Sequence, residues 1–208
     1  MTEQGEIIID VFQKLSNNRI LFISGDIDDN IGSDISATLL LKDAENCDEK
    51  ITIFINSQGG DIRNALAIYD IINMISSPIE TVCIGTAVRE SLIILMAGTP
   101  GMRFATKHSI ICVEQLINDS MQLADLTEAK TILNQSLYDN KKMMEIIAKC
   151  TGKTYKQVLI DFDRKVFMNS SEALNYGFID KIIAPSKNNF KKNLNEAKKA
   201  TIVADDAS

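Results

Sequence analysis

The chain has 208 residues, 45% of them hydrophobic and 24% charged, with a formal net charge of −6. A chain of this length buries a substantial core without disulfides or metal. The acidic balance supplies no basic stripe to neutralise phosphates, which argues against a general nucleic-acid binder, and no run of about 18 apolar residues is present to span a membrane.

The first residues, MTEQGE, lack the basic-then-apolar pattern of a signal or transit peptide, so a cytoplasmic location is expected, or an organelle matrix if a targeting segment was trimmed. An apolar strand is predicted at 19–24 (RILFIS), followed by a helix over 29–41. A second strand at 51–56 (ITIFIN) leads to a helix over 63–75, and a third at 79–84 (IETVCI) leads to a helix over 88–97. Short strands follow at 102–105 and 109–113 (SIICV). The longest helical pattern covers 123–150, where Leu126, Ala129, Leu133, Leu137, Met144 and Ile147 recur at helical spacing. A capped helix is predicted over 154–163. Another begins at Ser170-Ser171-Glu172 and closes at Gly177, before a last strand at 179–183. Strands alternating with helices predict an α/β fold of crossover units on a parallel sheet, with strands buried on both faces. From 186 onward Lys187, Lys191, Lys192, Lys198 and Lys199 are interspersed with Asn and Ala, which reads as a flexible C-terminal tail.

Cys47, Cys83, Cys112 and Cys150 are widely spaced without a CxxC pair and are expected to be buried, reduced thiols. His108 has no second ligand at metal spacing and is expected to be structural or at the surface; no metal or cofactor site is predicted.

Several segments, in order and at matching spacing, carry a family resemblance. Gly5-Glu6-Ile7-Ile8-Ile9-Asp10-Val11-Phe12-Gln13-Lys14-Leu15 is similar to the Gly-Glu-x-x-x-Asp-Ile-Tyr-Ser-Arg-Leu opening of the ClpP family of serine peptidases. Ile55-Asn56-Ser57-Gln58-Gly59-Gly60 resembles the family's Ile-Asn-Ser-Pro-Gly-Gly turn, with Gln58 in place of Pro. Ala67-Ile68-Tyr69-Asp70 agrees as well. The segment from Gly85-Thr86-Ala87-Val88-Arg89 through Gly98 resembles the family's nucleophile turn and helix. Asp163-Arg164-Lys165-Val166-Phe167-Met168, followed by Glu172-Ala173-Leu174-Asn175-Tyr176-Gly177-Phe178-Ile179-Asp180, resembles the closing pattern. The resemblance covers roughly residues 5 to 184. It implies a ClpP/crotonase-like spiral of ββα units with a protruding handle helix. The implied division is an N-terminal axial-pore segment at 1–18, a head and handle domain at 19–185 with the handle at about 115–150, and the tail at 186–208.

The same resemblance places Arg89, Glu114 and Lys165 where the family carries its Ser, His and Asp. That triad works because a His takes the hydroxyl proton of Ser while the Asp orients the imidazolium. A guanidinium is a permanent cation and no nucleophile, so the chain is expected not to be an enzyme. Gly59 and Gly60 stand as the remnant of the turn that offers N–H groups to an oxyanion. The family's Gly-Gly after the His strand is replaced by Leu116-Ile117-Asn118-Asp119. One acid between two bases predicts a closed cluster in which Glu114 bridges Arg89 and Lys165. Ser91 lies two residues beyond Arg89, about 200° round a helix, and Cys112 shares a strand face with Glu114; neither has a base in evident reach.

By resemblance the partners would be copies of itself in heptameric rings, an active ClpP paralogue and a hexameric AAA+ Clp unfoldase. Arg164 is a candidate for the contact between rings. The leading reading is a non-catalytic, ClpR-like structural subunit of an ATP-dependent Clp protease. The alternatives are a crotonase-like acyl-CoA enzyme using Gly59, Gly60 and Glu114, or a homo-oligomeric decoy that binds the unfoldase. Nothing in the sequence reads as a coenzyme A site.

Overall fold

The structure is a computed structural model that describes residues 11–114 and 126–183. The first ten residues of the expected pore segment, the start of the expected handle at 115–125 and the tail from 186 lie outside the described residues. So do Leu116 to Asp119.

In chain order the elements are α1 (Val11–Asn17), β1 (Ile20–Ile27), α2 (Asp29–Glu45), β2 (Ile51–Gly60), α3 (Ile62–Met74), β3 (Ile79–Val88) and α4 (Glu90–Ala97). They continue with β4 (Arg103–Thr106), β5 (Ile110–Val113), α5 (Leu126–Thr151), α6 (Tyr155–Asp161), β6 (Val166–Asn169), α7 (Ser170–Tyr176) and β7 (Lys181–Ile183). The result is a mixed α/β fold with a seven-stranded, mostly parallel sheet, as expected. No helix among the described residues is long and apolar enough to cross a membrane.

Each predicted strand forms, and the first three run on further than their apolar cores suggest. Two elements escape the periodicity. Residues 11–17, expected within a pore-lining segment, form helix α1, which packs Phe12 edge-on against Phe22 of β1 at 5.9 Å between ring centroids. Strand β6 is only four residues long, with Phe167 exposed, so it lacks the continuous apolar run of a buried strand.

The sheet runs β1-β2-β3-β4-β7, and β3 forks. Its first half pairs with β4 through Thr81 to Cys83, and its second half pairs with β5 through Thr86 to Val88. Strand β5 then takes β6 antiparallel. Helix α4 lies beneath this fork and is buried from Glu90 through Met96. A helix apolar on all sides sits in a core, and LIILMA satisfies that condition at every position after the buried Ser91.

Polar ties close the periphery. Arg103 holds Asp180 bidentately, Nη2 to Oδ1 at 2.6 Å and Nε to Oδ2 at 2.9 Å, which anchors the entry to β7. Arg63 on α3 pairs with the buried Asp139 on α5. Arg19 is 6% exposed and adopts φ 60°, a left-handed value costly for a residue with a Cβ. Its guanidinium donates to the carbonyls of Lys42 at 2.7 Å, Asn46 at 2.9 Å, Glu49 at 2.8 Å and Lys50 at 3.2 Å. These acceptors include Lys42 in the last turn of α2 and Asn46 just beyond it, so the guanidinium ties the end of that helix to the turn before β2.

Arg19→Met keeps the length and removes those donors. It is expected to cost about 2 kcal/mol, because the carbonyls of Asn46, Glu49 and Lys50 lose a charged donor in part-buried surroundings. A urea midpoint equal to that of the parent chain would contradict this account.

Candidate functional site

Two close approaches build the cleft. At the end of β2, Gly60 lies against Ile27 of β1, and Asp61 N–H donates to the Ile27 carbonyl at 2.8 Å. A Cβ on Gly60 would run into the Ile27 backbone, so only glycine fits. The preceding Ser57 hydroxyl accepts from Gly59 N–H at 3.1 Å and shapes the turn. Gln58 donates to Thr86 Oγ1 at 3.3 Å on the neighbouring strand.

The second approach is the bend from β3 into α4. Arg89 has φ 50° and ψ −112°, strained for a side-chain-bearing residue. Its N–H donates to the Cys112 carbonyl at 3.1 Å, and its own carbonyl accepts from Leu92 at 3.1 Å, so both neighbours hold the bend. Ser91 Oγ accepts from Val88 N–H at 2.8 Å and sits 2.9 Å from the Ser57 carbonyl. The hydroxyl is wholly buried and occupied in structure. It offers nothing to a substrate.

Strand register brings the predicted site residues to one end of the sheet. Val88 is opposite Cys112 in β3–β5, and Val113 is opposite Val166 in the antiparallel β5–β6 pair. One residue further along, Glu114 therefore faces Lys165, and their charges meet at 2.9 Å from Oε2 to Nζ. Lys165 also lies over the Phe167 ring, 5.0 Å from its centroid. The expected three-member bridge does not form. The guanidinium of Arg89 turns instead to Glu90, Nε to Oε2 at 3.3 Å. The cleft thus holds two separate ion pairs, and the expectation that Glu114 links both bases is corrected.

The reason is Glu90, which sequence reasoning did not single out. The residue is only 3% exposed, and its Oε2 accepts from Gly60 N–H at 3.0 Å. Burial pushes its carboxyl above the ordinary range, while its own N–H, the Gly60 N–H and the Arg89 charge pull it part of the way back. A buried acid that cannot reach water claims the nearest cation, whereas Glu114 is a quarter exposed and can be solvated. The signal was an acidic residue opening a helix otherwise devoid of polar surface.

Cys112 is buried among these charges. Burial pushes its thiol up, against the opposing pull of Lys165, so it is not an activated thiolate. Cys83 is buried too, Cys150 half-buried, and Cys47 exposed, which departs from the expectation for that residue. His108 lies at the surface. Arg164 is exposed in the turn before β6.

The Glu114–Lys165 pair is partly solvated, so Lys165→Ala is expected to change stability by about 1 kcal/mol or less. A loss of several kcal/mol in chemical denaturation would contradict this. Glu90 behaves differently. Because its folded carboxyl lies above its unfolded value, the native state takes up a proton first. Stability rises as pH falls through that raised value, and the gain is complete below the ordinary value of 4.5. The melting temperature of the parent, measured against that of Glu90→Gln, should therefore climb between pH 8 and pH 4.5. A constant difference across that range would be the contrary result.

A glycine turn and a strained strand-to-helix bend at one sheet end are the frame of a hydrolase nucleophile site. A family model described as Clp protease matches residues 3–186, and this chain belongs to the Clp protease family.

Proposed function

We propose that the chain is a non-catalytic, ClpR-like subunit of an ATP-dependent Clp protease, assembling in heptameric rings with or against an active ClpP paralogue. The observation that carries this reading is the residue at the strained bend. Arg89 stands where the family resemblance puts a serine, and a guanidinium forms no acyl intermediate. The companion positions, Glu114 and Lys165, are occupied by each other in an ion pair rather than by a base and its orienting acid. Loss of even one triad member costs on the order of 10⁴-fold in turnover. Neither alternative nucleophile is available, since Ser91 is buried and bonded and Cys112 is buried with its thiol pushed up.

The chain's role would then be architectural: to set ring composition, substrate entry and the docking of a hexameric AAA+ unfoldase. Family membership makes rings and Clp partners the general expectation. Arg164 is the candidate for the contact between rings, and the helix α5 is part of the handle that would make it. The expected location is cytoplasmic or an organelle matrix.

Native mass measurement of the protein alone, then with the organism's active paralogue, tests this with peptide cleavage followed in parallel. The pure chain should cleave nothing, the mixture should show a mixed ring, and Arg89→Ser should leave the pure chain inactive. Failure to assemble with any active paralogue would overturn the mixed-ring reading. A homo-oligomer that binds unfoldase alone would favour the decoy, and hydrolysis of an acyl-CoA thioester would favour crotonase-type chemistry.

A further inference from the structure

The cleft contains an anion-binding arrangement that is already filled. Gly60 N–H points at Glu90 Oε2 from 3.0 Å, and Arg89 Nε lies 3.3 Å away from the same oxygen. A backbone donor and a cation converging on one oxygen are the kind of surroundings that stabilise a developing oxyanion. The space is reserved for that oxygen. A Cβ built on Gly59 would strike Glu90 Oε2 and press on the Val88 carbonyl and Arg89 Nε. Gly59 also has a φ of 104°, which by itself favours glycine there.

An acid in the first turn of a helix ordinarily points at water and gains a few tenths of a kcal/mol from the helix dipole. Glu90 does not point at water. At 3% exposure it has exchanged solvent for the Gly60 amide of the β2 turn. Arg89 Nε, enclosed and without a hydrogen-bond partner, faces it as a purely coulombic neighbour.

We propose that Glu90 is a built-in plug: its carboxylate occupies the cradle formed by the Gly60 amide and the Arg89 guanidinium, so a carbonyl oxygen from a peptide has no place to develop charge there. This deepens the non-catalytic reading by locating a second block, separate from the missing nucleophile. It also predicts that supplying a serine would not suffice while Glu90 stays in place.

Chemical rescue tests the plug without substrate or partner. Glu90→Ala deletes the fragment that acetate replaces, leaving the cradle empty and its donors free. At neutral pH, about 100 mM acetate should raise the melting temperature of the full-length Glu90→Ala protein by about 3 °C over chloride of equal ionic strength. The parent, and Glu90→Gln, which keeps the cradle filled, should not respond. Equal shifts in all three proteins, or none in Glu90→Ala, would overturn the proposal. If Glu90→Ala does not fold in chloride, its refolded yield in acetate against chloride becomes the readout, and equal yields, zero included, overturn it. Because only melting or refolding is read, failure here would leave the ring-subunit reading standing.

Discussion

The register of β3 with β5, and of β5 with β6, determines everything at the cleft. The parallel pairing of Val88 with Cys112 and the antiparallel pairing of Cys112 with Phe167 set three chain segments to end at the same height. A slip of one residue would turn each side chain to the opposite face. Such a slip is prevented by the buried Ile111, Cys112 and Val113 and by the bond from Arg89 N–H to Cys112. The charges are passengers on that register. Glu114 and Lys165 meet because the ladder leaves them opposite, not because their attraction organises the strands.

Two ion pairs a few residues apart thus have different physics. Glu114 and Lys165 are partly hydrated, and their attraction is screened. Glu90 has been taken out of water, and its interaction with Arg89 only offsets part of that desolvation. Simple charge counting favours Glu114 as the shared acid between two bases. Solvation decides otherwise, since the acid with the least water has most to gain from a cation.

Much of the fold was legible because it rests on long apolar runs. ITIFIN and IETVCI have few ways to be satisfied other than as buried strands, and the resulting elements match. The positions of Arg89, Glu114 and Lys165 were legible through spacing shared with a family, and they do share one end of the sheet. The partnering within the site was not. It depends on how far each side chain is from water, which no local window reveals. Strand β6 was missed for a related reason, since its residues are half exposed and owe their conformation to β5 rather than to their own pattern. Arg19 shows the same limit. A lone arginine before a strand gives no sign that it will bond four carbonyls between residues 42 and 50.

The bend at Arg89 has a wider meaning. Its backbone keeps a left-handed shape commonly associated with a reactive hydroxyl, although a cation sits on it. The shape follows from the need of a strand to dive at once into a buried helix while its amide stays bonded to the next strand. It is a property of the scaffold rather than of the side chain displayed there. Backbone superposition at such a bend therefore measures ancestry of the frame, and reactivity has to be judged from the atoms beyond Cβ.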